Sequence, residues 1–258
     1  MPRFAANLTM MFTEVAFMDR FAAAAKAGFD AVEYLFPYDF DATVIAQALH
    51  ANRLTQALFN LPPGDWAAGE RGLAALPDRQ KDFRASVQTA LAYAAATKVG
   101  RVHVMSGIAK RADRAADAAY RNSLAYLCDL AGQSGLGVVI EPINPRDMPG
   151  YFLNDFAYAA DLIADLGLPN LKLQFDIYHR QILHGDVLMG LTQLMPIIGH
   201  VQIAAVPKRH EPCTGELDDV TVLNALDALG YVGFVGCEYR PAGDTAAGLG
   251  WLRHFDPI

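Results

Sequence analysis

Short runs of apolar and β-branched residues recur along the chain, each followed by a longer stretch whose apolar positions repeat at helical spacing. The runs Phe4 to Leu8, Ala31 to Leu35, Leu54 to Asn60, Arg101 to Met105, Gly137 to Ile143, Leu171 to Ile177, His200 to Ala204 and Gly233 to Tyr239 predict eight strands. Thr13 to Ala27, Asp78 to Thr97, Ala112 to Gln133, Asn154 to Leu166 and Leu217 to Leu229 predict amphipathic helices. Gly28, Gly135, Gly167 and Gly230 stand where a helix stops before the next strand. Eight strand-then-helix units without a Gly-rich phosphate turn match an α/β fold of the closed (β/α)8 TIM-barrel type better than an open doubly wound sheet. No linker, charge block or low-complexity tract divides the chain, so the expectation is a single catalytic domain over residues 1–258.

A chain of 258 residues that is 53% hydrophobic and 19% charged has the material for so large a core. Its net charge of −7 offers no basic footprint for nucleic acid or anionic lipid. The cysteines, Cys128, Cys213 and Cys237, are odd in number and widely spaced, which suggests packing residues in a reducing compartment. The opening MPRFAANLTMMF lacks a basic segment followed by a continuous apolar stretch, and no apolar run reaches the roughly 18 residues of a bilayer span. The expectation is a cytoplasmic protein with neither nucleic acid nor membrane as partner. A homo-oligomer is left open.

In a barrel of this kind, functional groups project from the C-terminal ends of the strands. Four consecutive strands each carry one hydrogen-bonding or charged residue in otherwise apolar sequence: Glu141 in GVVIEPIN, Asp176 in LKLQFDIYH, Gln202 in GHVQIAA and Glu238 in FVGCEYR. A carboxylate inside a strand is costly unless it is paired, hydrogen-bonded or bound to a metal. Any one of the four, alone, reads as readily as a strand-end polar group capped by an arginine. Together they suggest one divalent metal ion, and an all-oxygen donor set favours Mg2+ or Mn2+ over zinc.

The segments RFAANLTMMFTE, LFNLPPGDWAAGERG (58–72), IEPINPRDMPGYFL (140–153), QFDIYHRQ (174–181), HVQIAAVPKRHEPCTGE (200–216) and GCEYRPAGDTAAGLGW (236–251) resemble the hydroxypyruvate isomerase family nearly end to end. The resemblance implies a xylose isomerase-like TIM barrel in which Glu141, Asp176, Gln202 and Glu238 bind the metal. It also implies that Glu141 and Glu238 are the catalytic acid/base pair, interconverting hydroxypyruvate and 2-hydroxy-3-oxopropanoate through an enediolate. The N-terminal segment and the HVM strand are also similar to the 2-oxo-tetronate isomerase branch, whose keto acid is one carbon longer. The chain departs from the pattern at Ala205, where relatives commonly carry Asp, and at Cys213, where many carry Gly or Asp. Both departures bear on the substrate and leave the metal set untouched.

For the hydroxy-keto acid substrate itself, the family match implies that His179 contacts oxygens beside the metal. Arg209 and His210 in the KRHEP loop offer a fork for its carboxylate, though an exposed charged loop explains them equally well. Arg71 with Trp66 reads as a lid over the pocket or as helix N-terminal decoration. Glu70 and Arg240 are open in the same way, His184 reads as solvated, and His103 reads as a satisfied barrel histidine. Cys237 adjoins Glu238 but should point to the other side of its strand. Three other functions compete: a ketose 3-epimerase with the same constellation, a metal-dependent DNA-repair endonuclease, and a catalytically silent barrel acting as a binding protein. The net charge and the scatter of seven histidines count against the endonuclease.

Overall fold

The computed structural model describes residues 1–255, so the last three residues of the expected 1–258 domain lie outside the described range. Its eight strands are β1 (Arg3–Asn7), β2 (Ala31–Tyr34), β3 (Thr55–Phe59), β4 (Arg101–His103), β5 (Gly137–Ile140), β6 (Leu171–Asp176), β7 (Ile198–Ile203) and β8 (Phe234–Cys237). They form one parallel sheet in the order β3-β2-β1-β8-β7-β6-β5-β4. A parallel bridge between Asn60 and His103 joins its two edges and closes the barrel. Each predicted strand is present, shorter or shifted by a few residues at one end or both.

The helices are α1 (Arg20–Lys26), α2 (Ala42–Ala51), α3 (Gln80–Thr97), α4 (Arg114–Gly132), α5 (Phe156–Leu166), α6 (Ile177–Leu183), α7 (Val187–Leu194) and α8 (Asp219–Ala228). Several starts are set by aspartate caps. Asp113 accepts from the amides of Ala115 and Ala116, Asp155 from Tyr158, and Asp218 from Thr221. Gly167 ends α5 in the left-handed region at φ 58°. The first helix begins later than its apolar pattern predicts, because Phe12 turns at φ 57° and Glu14 accepts from Thr245 instead of starting a helix. Among the described residues, no helix is long and apolar enough to cross a membrane.

Two apolar layers hold the barrel. The larger lies between strands and helices, where Phe21, Tyr34, Phe83, Tyr120, Phe152 and Phe175 are buried. The smaller, Ala5, Ala31, Ala57 and Phe234, comes from β1, β2, β3 and β8. Side chains alternate across a strand, so Asn7, Glu33 and Gly236, two residues further along, share the face of Ala5, Ala31 and Phe234. The barrel interior thus passes from apolar residues at one end to polar ones toward the C-terminal mouth.

Candidate active site

The four strand-end residues stand where the strands leave the sheet. Glu141 and Glu238 lie one residue beyond β5 and β8, Asp176 is the last residue of β6, and Gln202 is its register partner on β7. All four are buried. Strand β6 runs straight into α6, with Asp176 as the helix cap: its Oδ1 accepts from the amides of Tyr178 at 2.7 Å and His179 at 3.3 Å. The other oxygen, Oδ2, has no hydrogen-bond partner, nor has Glu141 Oε1, although both are buried. His179 Nε2 lies 3.8 Å from Glu141 Oε1 and 3.6 Å from Asp176 Oδ2. Glu141, Asp176 and His179 offer ligand atoms all within 4.8 Å of one another, a cluster that can hold a metal ion.

Arg209 supplies the positive charge. Its guanidinium donates to Glu238 Oε2 at 2.7 Å and Asp147 Oδ2 at 3.0 Å, and lies 3.6 Å from Asp176 Oδ2. Burial opposes that charge, but the surrounding carboxylates outweigh it and hold the guanidinium protonated. The acids respond in the other direction. Burial, then the charges of Glu238 and Asp176, push the Glu141 carboxyl well above the usual range. Burial lifts Glu238 to about 8 and Asp176 to about 6, with Arg209 opposing both shifts. Burial also depresses the imidazoles, His103 to about 3 and His179 well below its ordinary value.

A cavity of about 460 Å³ opens above this cluster, and Glu141, Glu238, His179, Arg209, Arg71 and His103 all line it. Asp176 and Gln202 do not line it. The Arg71 guanidinium stacks 3.9 Å above Trp66 and donates to the carbonyls of Trp66 and Glu70. This aromatic-cation pair forms one wall, where the sequence suggested a lid. A larger depression of about 630 Å³ beside Pro212, Cys213 and Trp251 contains none of the strand-end acids.

A family model described as xylose isomerase-like TIM barrel matches residues 21–255. The chain belongs to the xylose isomerase-like TIM barrel family. It is 56% identical to the 2-oxo-tetronate isomerase of Cupriavidus necator, over 99% of each chain. It is 42% identical to the hydroxypyruvate isomerase of Escherichia coli, over 98% of each. Among solved structures, AP endonuclease, family 2 from Brucella melitensis superposes with a TM-score of 0.97 at 48% identity, each chain fully covered. An L-ribulose 3-epimerase structure, at 21% identity and a TM-score of 0.76 over 99% and 93% of the two chains, shares the fold.

In this member of the xylose isomerase-like family, a polar network continues down the barrel beneath the cavity. Gln202 Oε1 accepts from Gln174 Nε2 at 2.6 Å, and Gln202 Nε2 donates to Glu33 Oε1 at 2.7 Å. Glu33 also accepts from Asn7 Nδ2 at 3.0 Å and pairs with His200 Nε2 at 2.7 Å. A carboxylate can only accept, so the Gln202 amide must turn its nitrogen to Glu33 and its oxygen away, with one lone pair left beside Gln174. Sequence reasoning passed over Glu33, Gln174 and His200, although each interrupts an apolar strand as the four chosen residues do. His103 differs from its expected role: both ring nitrogens lack a partner, and Nε2 lies 3.8 Å from Glu141 Oε2. Cys237 is buried in the outer core, on the far side of its strand from the cavity, as alternation required. His184 reaches Asp155 at 3.5 Å and plays no part in the cavity.

Proposed function

We propose that the chain is an aldose-ketose-type isomerase that moves a carbonyl between adjacent carbons of a short hydroxy-keto acid, with 2-oxo-tetronate the foremost substrate. The observation that carries this is the pair Glu141 and Glu238, which face one cavity with proton affinities lifted by burial toward the working range of a general acid or base. One glutamate takes the proton from the hydroxyl-bearing carbon, and the other, already protonated, gives its own proton to the neighbouring carbon. The hydroxyl proton passes from the first oxygen to the second, which leaves the two glutamates with their protonation exchanged. The direction of reaction decides which acts first. Four arginines, Arg71, Arg146, Arg209 and Arg240, line the cavity and suit an anionic substrate better than a neutral ketose.

The donor set fits a hard divalent ion, Mg2+ or Mn2+, because two buried carboxylate oxygens lack partners and the other candidate ligands are also oxygens. Held by Glu141, Asp176, Gln202 and Glu238, it would supply a Lewis acid for negative charge growing on the substrate oxygens. His179 lies between two of these acids, in reach of the same oxygens.

The relatives weight the four-carbon acid first, since the 2-oxo-tetronate isomerase shares 56% identity and the hydroxypyruvate isomerase 42%. Hydroxypyruvate, the three-carbon substrate suggested by sequence, is the second reading. A net charge of −7 disfavours DNA as substrate despite the endonuclease name of the Brucella structure. A panel of 2-oxo-tetronates, hydroxypyruvate and common ketoses, each with Mg2+, Mn2+ or chelator, tests the proposal. The highest kcat/KM on a 2-oxo-tetronate, lost with chelator, is expected. Faster epimerisation of ketoses would replace the reading, and no turnover with no divalent ion retained would favour a silent binding protein.

A further inference from the structure

Asn144, fully buried just beyond Glu141, shares no side-chain hydrogen bond with the proposed acid/base pair, yet both ends of its own amide are engaged. Its Oδ1 accepts the backbone N–H groups of Arg146 and Asp147, both at 3.0 Å. Two donors converging on this atom identify it as the oxygen, because the amide nitrogen has no capacity to accept there. The nitrogen therefore faces His179, with Nδ2 2.6 Å from the ring Nδ1. The Asn144 backbone N–H points at the same ring atom from 3.4 Å. Both neighbours of Nδ1 are donors, so Nδ1 must accept. The single proton of the neutral ring then sits on Nε2, which faces Glu141 and Asp176.

We propose that Asn144 is a positioning residue that locks His179 in its Nε2–H tautomer, making His179 a hydrogen-bond donor to a substrate oxygen held between Glu141 and Asp176, rather than a metal ligand or a base. The chain of constraint runs from two loop amides, through one amide side chain, to the proton of an imidazole 35 residues away in sequence. It also resolves the chemistry of the Glu141, Asp176 and His179 cluster: a nitrogen that carries a proton toward the carboxylates offers them no lone pair for a shared ion. The tautomer is a property of this chain alone, whereas the donor role rests on the isomerase reading.

The test is a long-range proton–nitrogen correlation spectrum of the full-length protein with 15N-labelled histidine, recorded with and without Mg2+. His179 is assigned by the signals missing from His179→Gln. An unprotonated Nδ1 and a protonated Nε2 are expected. In Asn144→Asp one carboxylate oxygen can keep the two loop amides while the other only accepts, so the ring proton should move to Nδ1. Turnover of the keto acid should then fall by about a hundredfold, the loss typical of one preorganised donor, with the far-UV spectrum unchanged. A wild-type proton on Nδ1, or an Asn144→Asp ring that keeps it on Nε2, overturns the lock. If Asn144→Asp does not fold, the wild-type spectrum decides alone. A moved proton with undiminished turnover removes the donor role. A blank substrate panel removes the isomerase reading and the donor role with it, while the tautomer lock stands or falls on the spectrum.

Discussion

Glu141, Asp176 and Glu238 hold protons in the folded chain at pH values where the unfolded chain has released them. Burial is the main cause for each, and it places Asp176 near 6 and Glu238 near 8. Between the ordinary carboxylate range and those raised values, the native state binds more protons than the unfolded state. Stability from these groups therefore falls as pH rises through that window. Below about pH 7 the buried imidazoles of His103 and His179, unprotonated in the fold, oppose this trend, so the metal-free protein should show a melting temperature that declines from about pH 7 to about pH 8, measured by calorimetry. Saturating Mn2+ or Mg2+ should remove most of the slope and release protons on binding, detectable as a dependence of the binding heat on buffer ionisation. A metal-free melting temperature that rose across the window would show these acids ionised in the fold. At the same positions, Glu141→Gln and Glu238→Gln should each cut turnover by at least about 10²-fold, as loss of a proton-transfer group does, with circular dichroism unchanged. Near wild-type turnover in either variant would exclude that glutamate as an essential acid or base. The strand-end placement of Glu141, Asp176, Gln202 and Glu238 was legible in the sequence because a charged or amide side chain interrupts an apolar strand at its C-terminal end. Asn144 was not, since an asparagine in a loop carries no such contrast; only its hydrogen bonds reveal its work.

Strands and helices explain where that contrast succeeds and where it fails. The eight strands could be read because each is a compact apolar run, and most of the long helices because their apolar positions repeat over many turns. Helix α6 escaped notice because it follows β6 with no intervening loop, and seven residues are too few to establish a period. The same junction makes Asp176 a helix cap and a neighbour of the Glu141 and His179 side chains at once. Strand β8 shows a second dependence between elements. A Cβ added at Gly236 would collide with the Glu33 carboxylate, so the glycine on β8 is what allows that β2 side chain to reach His200 and Gln202. Gly236→Ala should therefore cost about 1–3 kcal/mol, the usual range for overpacking a filled interior, read from urea denaturation. It should also weaken Mn2+ binding, because a displaced Glu33 no longer holds the Gln202 amide by its nitrogen. A variant with unchanged stability would mean that Glu33 has room to move aside, contrary to the close packing seen here.

The closed barrel sets how its proton chemistry meets solvent. Below the acids lie the Glu33 network and then the Ala5, Ala31, Ala57 and Phe234 layer, which fill the barrel toward the strand N-termini. Above them, the 460 Å³ cavity opens at the mouth, with Trp66 38% exposed on its rim. A proton resting on Glu141 or Glu238 during turnover therefore shares a cavity with entering and leaving water. Among the described residues, the one close group of three His, Cys, Asp or Glu side chains is Glu141, Asp176 and His179, and its two carboxylates belong to the single proposed metal set. The proposed single ion and two glutamates favour proton transfer over a hydride passed directly between carbons, since two carboxyls facing one cavity can take one carbon-bound proton and give another back. The two routes differ in their traffic with solvent: a carboxyl proton exchanges with water, whereas a migrating hydride does not. Isomerisation of the preferred keto acid in D2O should place deuterium on the carbon that receives the hydrogen, detected by mass spectrometry after trapping the product and subtracting non-enzymatic exchange. Complete retention of the substrate hydrogen over many turnovers would show that the transferred atom never equilibrates with the cavity, and would turn the assignment toward a hydride shift or a fully shielded transfer between the two glutamates.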